Sequence, residues 1–205
     1  MQQDTRRSLR PETIGTAPTD PDAFLRWASE RPREEGKYEL SRGRVTRTRD
    51  HASRAHSRVC VNILRALYPV LVREHFDVGL TNFAVRSRVG FRTPDVLVDR
   101  AGGDLSEMFT SMPLLIAEVL SPSTIGIDFT EKLEEYSAIE TLQTYLICSQ
   151  DEPRAWVWSR QADGSWPRLP TELAGREGTI SLGGLGVDIA MAAIFRGIPD
   201  APTVA

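Results

Sequence analysis

The chain reads as an α/β protein, a mixed sheet flanked by helices rather than a doubly wound parallel sheet. Three observations predict this. Apolar residues recur at helical spacing over about 52–68, and a near-continuous apolar run, Leu114–Leu120, has the look of a buried central strand. Helix, hairpin and helix come first in the chain, followed by several strands with one crossover helix between them.

The elements follow in order. Residues 1–17 mix charge, Pro and Thr without periodicity and are expected to form a mobile arm, leaving 18–205 as one domain. Thr19-Asp20-Pro21 offers an N-cap with proline in the first turn, and Phe24, Leu25 and Trp27 give that short helix an apolar face before Pro32. Tyr38-Glu39-Leu40 and Val45 flank Ser41-Arg42-Gly43-Arg44, a tight turn between strands. Ala55, Val59, Ile63, Leu64 and Leu67 then mark a long helix that ends at Pro69.

Alternation from Phe83 to Arg88 predicts a half-exposed strand, and Val96–Val98 with Leu114–Leu120 are the buried strands. Ser121-Pro122-Ser123 turns the chain into a helix near Phe129–Ile139. Strands at about 143–148 and 154–159, a short strand near Ile180 and an amphipathic helix over Val187–Phe195 complete the expectation.

Composition narrows the chemistry. With 205 residues and 40% hydrophobic content the chain can bury one sizeable core. No stretch approaches the roughly 18 apolar residues of a membrane span, and Met1–Arg7 lacks the apolar core of a secretory signal, so a cytoplasmic protein is expected. Two cysteines, Cys60 and Cys148, and three histidines give neither a disulfide framework nor a zinc-like spacing. Any metal is therefore expected to be a hard, oxygen-liganded ion.

Net charge is −3, but residues 41–60 carry Arg42, Arg44, Arg47, Arg49, Arg54 and Arg58 against Asp50 alone, a balance of +5 that leaves −8 for the rest. This is either a phosphate-facing stripe or an ordinary solvated hairpin and helix face. Lysine occurs only twice, at Lys37 and Lys132, in a chain whose usual cation is arginine. A compact ammonium does a different job from a planar guanidinium, so each lysine carries some information.

Glu118 stands inside the apolar run, where a lone carboxylate suffers a large desolvation cost unless a cation or strong donors compensate it. Pro94-Asp95 opens the other buried strand, and Lys132 lies on the following helix. Asp95, Glu118 and Lys132 at adjacent strand ends would make a metal-assisted hydrolytic site. Each has a plainer reading: Asp95 as a turn cap, Glu118 in a structural salt bridge, and Lys132 in an i,i+4 surface pair with Asp128.

Taken as an ordered set, Tyr38-Glu39-Leu40 with Gly43, His56, Pro94-Asp95, Glu118, Ser121-Pro122-Ser123-Thr124, Asp128, Lys132, Tyr136 and Thr144-Tyr145-Leu146-Ile147 resemble the Uma-type putative restriction endonuclease family of the PD-(D/E)XK nuclease superfamily. The resemblance spans roughly residues 20–195. It implies a restriction-endonuclease-like core, phosphodiester hydrolysis in DNA, and Mg²⁺ or Mn²⁺ held by Asp95 and Glu118 with the backbone carbonyl of Val119. Lys132 would orient water or neutralise phosphate, although the superfamily lysine lies two positions after the acid and position 120 is Leu. Glu39 would complete the shell through a water, and His56 and Tyr136 are additional candidates, with a helix-face or packing role as their plainer reading. Arg44, Arg47, Arg54 and Arg58 would meet nucleic acid, and a homodimer suits two cuts in a duplex. The alternatives are a catalytically weak nucleic-acid-binding or interaction protein that keeps the fold, and a hydrolase of small phosphoesters.

Overall fold

In the computed structural model, the described residues are 11–48, 52–72, 74–80, 83–121 and 125–200. The chain opens with β1 (Glu12–Thr13), α1 (Pro21–Ser29), β2 (Lys37–Ser41), β3 (Arg44–Thr48) and α2 (Arg54–Leu67). It continues through β4 (Phe76–Leu80), β5 (Ala84–Ser87), β6 (Gly90–Arg92), β7 (Val96–Arg100), β8 (Phe109–Thr110) and β9 (Leu115–Val119). A broken helix follows, α3 (Ile125–Ile127), a π-helical turn (Asp128–Lys132) and α4 (Leu133–Ser137), before β10 (Thr144–Cys148), β11 (Arg154–Ser159) and β12 (Thr171–Ala174). Last come β13 (Thr179–Leu182), β14 (Val187–Ala190) and α5 (Met191–Ile194).

Two six-stranded sheets result, in the orders β12-β11-β10-β9-β7-β4 and β1-β3-β2-β6-β5-β8, with β13-β14 as a separate pair. Both large sheets are mixed: β9 runs parallel to β10 and β5 parallel to β8, while the remaining pairs are antiparallel. The expected mixed α/β architecture is the observed one.

Alternation along the central strands sorts side chains onto two faces. Val96, Val98, Leu115, Ala117, Val119, Leu146 and Cys148 pack on one face with α2, α5 and the β13-β14 pair. Leu97, Ile116, Tyr145, Ile147 and Trp158 pack on the other with Tyr136 and Ile139. Glu118 shares the parity of Ile116, so its carboxylate emerges on the Tyr136 side. A smaller core of Phe24, Leu40, Val45 and Phe91 joins α1 to the β1-β3-β2-β6-β5-β8 sheet.

Local chemistry explains the elements that frame the site. Asp20 caps α1, its side chain accepting the Ala23 N–H at 2.9 Å, and Ser53 caps α2 by accepting from His56 N–H at 2.9 Å. Between β2 and β3 the two-residue turn places Arg42 at φ 51° and Gly43 at φ 73°, the double positive φ that a tight hairpin turn uses. Gly90 is required by contact: a Cβ there would lie 2.0 Å from the Leu40 carbonyl oxygen.

Three expectations change. The helix expected over Val187–Phe195 begins as strand β14, because Ile189 pairs with Ile180 across a ladder, and only Met191–Ile194 is helical. Helical and alternating readings both accommodate those apolar positions, and the cross-strand partner decides. Of the expected arm, residues 1–10 lie outside the described residues, but Glu12–Thr13 pair with Arg47–Thr46 and Ala17 is buried. That part of the arm is therefore ordered. The helix near Phe129–Ile139 is interrupted by the π turn, and β4 was not foreseen.

Candidate active site

Strand register brings the two acids together. Val96 pairs with Ala117, so one step further along the antiparallel ladder Asp95 stands opposite Glu118. Both are buried, at 6% and 4% exposure. Asp95 Oδ2 accepts the Val119 N–H at 2.9 Å and lies 3.1 Å from His56 Nε2, while Oδ1 faces Lys37 Nζ at 3.7 Å. Glu118 Oε1 accepts the Tyr136 hydroxyl at 3.0 Å and lies 2.8 Å from Lys132 Nζ. That ammonium is also 2.8 Å from Asp128 Oδ1.

Asp95, Glu118 and Lys132 thus meet in one cluster, with His56 and Tyr136 as direct partners of the two acids. The π turn allows it, since inserting an extra residue into a helical turn re-aims the side chains that follow. Tyr145 reinforces the turn by donating its hydroxyl to the Asp128 carbonyl at 3.0 Å. The i,i+4 pair of Asp128 and Lys132 exists, but as a buried pair rather than a surface one, with side-chain exposures of 1% and 6%. What the structure shows of Val119 is its N–H holding Asp95.

Electrostatics follows from this crowding. Burial, aided by the charges of Asp128 and Asp95, pushes the Glu118 carboxyl up to about 8 despite the opposing Lys132 ammonium. Burial also works against charge on Lys132, but Glu118, Asp128 and Glu39 outweigh it and hold the amine protonated well beyond its usual range. Lys132 is consequently a fixed positive charge and not a base. For Asp95, burial is overcome by the His56 hydrogen bond and charge, by Lys37 and by the Val119 N–H, which keep the carboxyl below its usual range.

Oxygen donors are thus in excess of cations. Asp128, 1% exposed, has no hydrogen-bond donor for either carboxylate oxygen among the described residues beyond the adjacent Lys132 ammonium. Glu118 meets the imbalance by taking up a proton. A cluster in this condition fits a hard divalent cation, which would relieve the same repulsion.

Arg92 organises the flank. Its Nε and Nη2 donate to the two oxygens of Glu135 at 2.7 and 2.8 Å, and Nη1 donates to Glu39 Oε2 at 3.0 Å. Glu39 Oε1 accepts the Thr93 N–H at 3.0 Å. Burial resists ionisation of Glu39, yet Lys132, Arg92 and the Thr93 N–H together lower its pKa. Glu39 is therefore a charged neighbour of Lys132 whose oxygens are engaged by protein donors. Because Lys37, Glu39 and Ser41 alternate along β2, one strand face supplies all three contacts, to Asp95, Arg92 and Glu135 respectively.

Sequence reasoning did not assign Lys37, Arg92 or Glu135 to the site. For Lys37 a signal existed: the chain's only two lysines both converge on these carboxylates. Nor was the approach of His56, Cys60 and Asp95 foreseen, whose metal-capable atoms lie within 4.8 Å of one another.

The arginine stripe is largely engaged within the chain. Arg42 reaches Glu134 at 2.7 Å, Arg44 reaches Glu131 at 3.5 Å, and Arg47 reaches Glu12 at 2.6 Å. Arg58 Nη1 donates to the Gly197 carbonyl at 2.8 Å, and Arg54 is exposed at the start of α2. Arg49 and Asp50 lie outside the described residues, as do Pro122, Ser123 and Thr124 of the expected turn.

A family model described as "Uma2: Putative restriction endonuclease" matches residues 21–192. Two uncharacterized proteins of Synechocystis sp. are similar. For slr1290 the identity is 28% over 181 residues, covering 87% of this chain and 92% of the relative. For sll1609 it is 31% over 134 residues, covering 63% and 75%. Among solved structures, a putative nuclease belonging to DUF820 from Anabaena variabilis superimposes with a TM-score of 0.63 at 16% identity, over 85% of this chain and 96% of that one. The last comparison shows a shared fold. No helix among the described residues is long and apolar enough to cross a membrane.

Proposed function

The chain belongs to the Uma2 putative restriction endonuclease family, and on that premise we propose that it is a divalent-metal-dependent endonuclease hydrolysing phosphodiester bonds in DNA. The observation that supports this reading best is the pair of buried carboxylates, Asp95 and Glu118, facing each other at the ends of neighbouring strands with Lys132 beside them. Asp95 and Glu118, with the Val119 carbonyl, would hold Mg²⁺ or Mn²⁺. When bound, the ion supplies a Lewis acid for the phosphoryl oxygen and acidifies a water.

The protein's own groups have distinct tasks. Val119 N–H and His56 hold Asp95 ionised and oriented, so it is ready for a cation without reorganisation. Tyr136 fixes Glu118 through Oε1, and the proton carried by Glu118 must leave when a cation arrives. Lys132, clamped by Glu118 and Asp128, contributes a positive field to the scissile phosphate rather than a proton-transfer group. Glu39, tied to Arg92, steadies that ammonium. Lys37, half-exposed beside Asp95, and exposed Arg54, two residues before His56 on α2, would be the cations to meet a phosphate backbone. The reading takes the protein to act in the cytoplasm, and a homodimer would allow two cuts in a duplex.

A second reading, a nucleic-acid-binding protein with weak or no catalysis, is favoured by one specific feature: Lys132 is spent on two carboxylates and is not open to solvent. Plasmid cleavage with Mn²⁺ separates the two. Cutting by wild type that disappears in Asp95→Asn and in Glu118→Gln is the expected result. Metal binding and DNA binding without cutting would establish the second reading.

A further inference from the structure

We propose that the free edge of β4 is an interface at which a second copy of this chain adds its own β4 in antiparallel, joining the two sheets into one. β4 closes the β12-β11-β10-β9-β7-β4 sheet, and no strand among the described residues lies beyond it. Exposed edges invite pairing, and proteins blunt them by shortness, by charge or by proline. The other edges of the two large sheets are blunted in this way: β1 and β8 have two residues each, and β12 has four, with Glu172 exposed among them. At five residues, Phe76-Asp77-Val78-Gly79-Leu80 is the longest of these edges, and it has neither lysine nor proline.

The β4-β7 ladder determines which peptide groups are open. The His75 carbonyl accepts the Ala101 N–H at 3.0 Å, so residues 75, 77 and 79 turn their peptide groups toward β7, and Val78 turns its N–H and carbonyl to the free edge. The Phe76 N–H is already taken by the Val72 carbonyl at 3.1 Å, which holds the turn after α2 against the start of the strand. Antiparallel pairing about a two-fold axis at Val78 sets Val78 against Val78 of the second copy, the two exchanging N–H and carbonyl. It also brings the Leu80 N–H of each copy to the Phe76 carbonyl of the other.

The strand is complementary to itself in charge. Asp77 already faces Asp99 across β7, so a register that set Asp77 against Asp77 of the copy would crowd a further acid into the ladder. With Val78 at the axis, Asp77 lies opposite Gly79, and the one charged residue of the strand is spared its own kind. Because the axis stands perpendicular to the sheet, both copies bring to the seam the face on which Phe76 and Val78 pack against the core beneath α2. Val70 and Val72, 41% and 50% exposed in the turn that leads from α2 to β4, flank that seam and supply apolar surface for it to cover. On the nuclease reading the pairing also sets where cuts fall. Val96 pairs with Leu80, so antiparallel joining sends the two Asp95–Glu118 clusters to opposite ends of the continuous sheet, and paired cuts would fall on separate stretches of nucleic acid rather than opposite one another.

Analytical ultracentrifugation of the full chain over a range of micromolar concentrations tests the interface without DNA or metal, so its outcome is separate from that of the cleavage assay. We expect wild type to sediment with twice the mass of one chain. Val78→Pro removes the outward N–H but no bond of the β4-β7 ladder, and should sediment as a monomer where wild type is a dimer, with an unchanged circular dichroism spectrum. Leu169→Glu, a charge at an exposed leucine beside β12 on the opposite edge of the same sheet, should stay dimeric. Should Val78→Pro not fold, Val70→Glu/Val72→Glu decides, since both side chains are exposed and charge at the seam should likewise give the monomer. A monomeric wild type, a folded Val78→Pro that remains a dimer, a dimeric Val70→Glu/Val72→Glu where the proline variant does not fold, or dissociation of Leu169→Glu would each overturn the interface.

Discussion

Lys132 and Arg42 each approach a carboxylate to within 3 Å, at 2.8 Å from Glu118 and 2.7 Å from Glu134, yet one pair is 6% and 5% exposed and the other 51% and 71%. Distance alone says nothing of their weight. In water the second pair gains little, because solvent screens the charges and two long side chains lose freedom. In the sheet interior the first pair compensates charges that could not otherwise be there. The strand-end cluster is therefore where charge weighs on folding, and the hairpin stripe is where charge is cheap and exchangeable.

The largest effect expected is on cleavage. If the interior cluster is the metal site, Asp95→Asn/Glu118→Gln should reduce Mn²⁺-dependent plasmid cutting by on the order of a thousandfold or more. The same variant should abolish the rise in melting temperature that Mn²⁺ gives wild type. Neutralising Glu134, the exposed partner of Arg42, should do neither. Equal loss in both variants would erase the distinction between the regions.

Next is stability. Lys132→Met leaves Glu118 and Asp128 buried without their cation and should cost about 3–5 kcal/mol, measured by urea unfolding. Arg42→Ala should leave the urea midpoint unresolved from wild type. Lys132→Arg sharpens the test, because a planar fork does not fit the point between two carboxylates 2.8 Å away on either side, and it should recover only part of the loss. Full recovery by arginine would mean that the cluster is looser than the structure has it.

Why one region was legible in sequence and the other was not follows from the same contrast. Glu118 declared itself because an acid in an apolar strand is expensive wherever the strand ends up, and Pro94-Asp95 because the pair opens the short apolar run Val96–Val98. Helices α1 and α2 were readable from caps and spacing, which are local. The burial of Lys132 was not, since it depends on a π turn and on β9 fourteen residues away in sequence. Arg92 and Glu135 meet across 43 residues, and Ser41 meets Glu135 across 94, with no pattern in either segment that names the other. The stripe was legible only as a count; the acids that neutralise it come from β1 and the broken helix.

A smaller effect concerns pH. The folded chain holds the Glu118 proton up to about 8, whereas the unfolded chain releases it near the ordinary 4.5. This contribution to stability is full below 4.5 and is lost as pH rises through about 8. Metal-free protein should therefore lose stability across that window with a slope of at most about 1.4 kcal/mol per pH unit, and Glu118→Gln should flatten it. Metal affinity should rise over the same window as the proton yields its place. A wild-type slope equal to that of Glu118→Gln in metal-free buffer would show that the crowding of carboxylates is relieved in some other way.

The smallest effect is expected from the stripe, and it is the sharpest test of what surface charge does here. Arg44 and Arg47 already face Glu131 and Glu12, so a phosphate must compete with a carboxylate for each, while Arg58 is held by a carbonyl and Arg54 is exposed. Free arginines that each neutralise one phosphate of duplex DNA steepen the dependence of log affinity on log salt by about 0.9 apiece. A swap of carboxylate for phosphate releases the same condensed counterion but leaves an unpaired acid that recruits a cation of its own, so its net contribution is close to zero. Changing Arg44, Arg47, Arg54 and Arg58 together to alanine should therefore flatten the slope by at most about 2, the share of Arg54 and of Arg58, whose carbonyl partner leaves its charge in place, and not by nearly 4. Fluorescence anisotropy with a labelled duplex at several salt concentrations reads this directly. A change near 4 would make the stripe a phosphate track whose internal ion pairs open on binding, and would put the two regions to work on the same substrate.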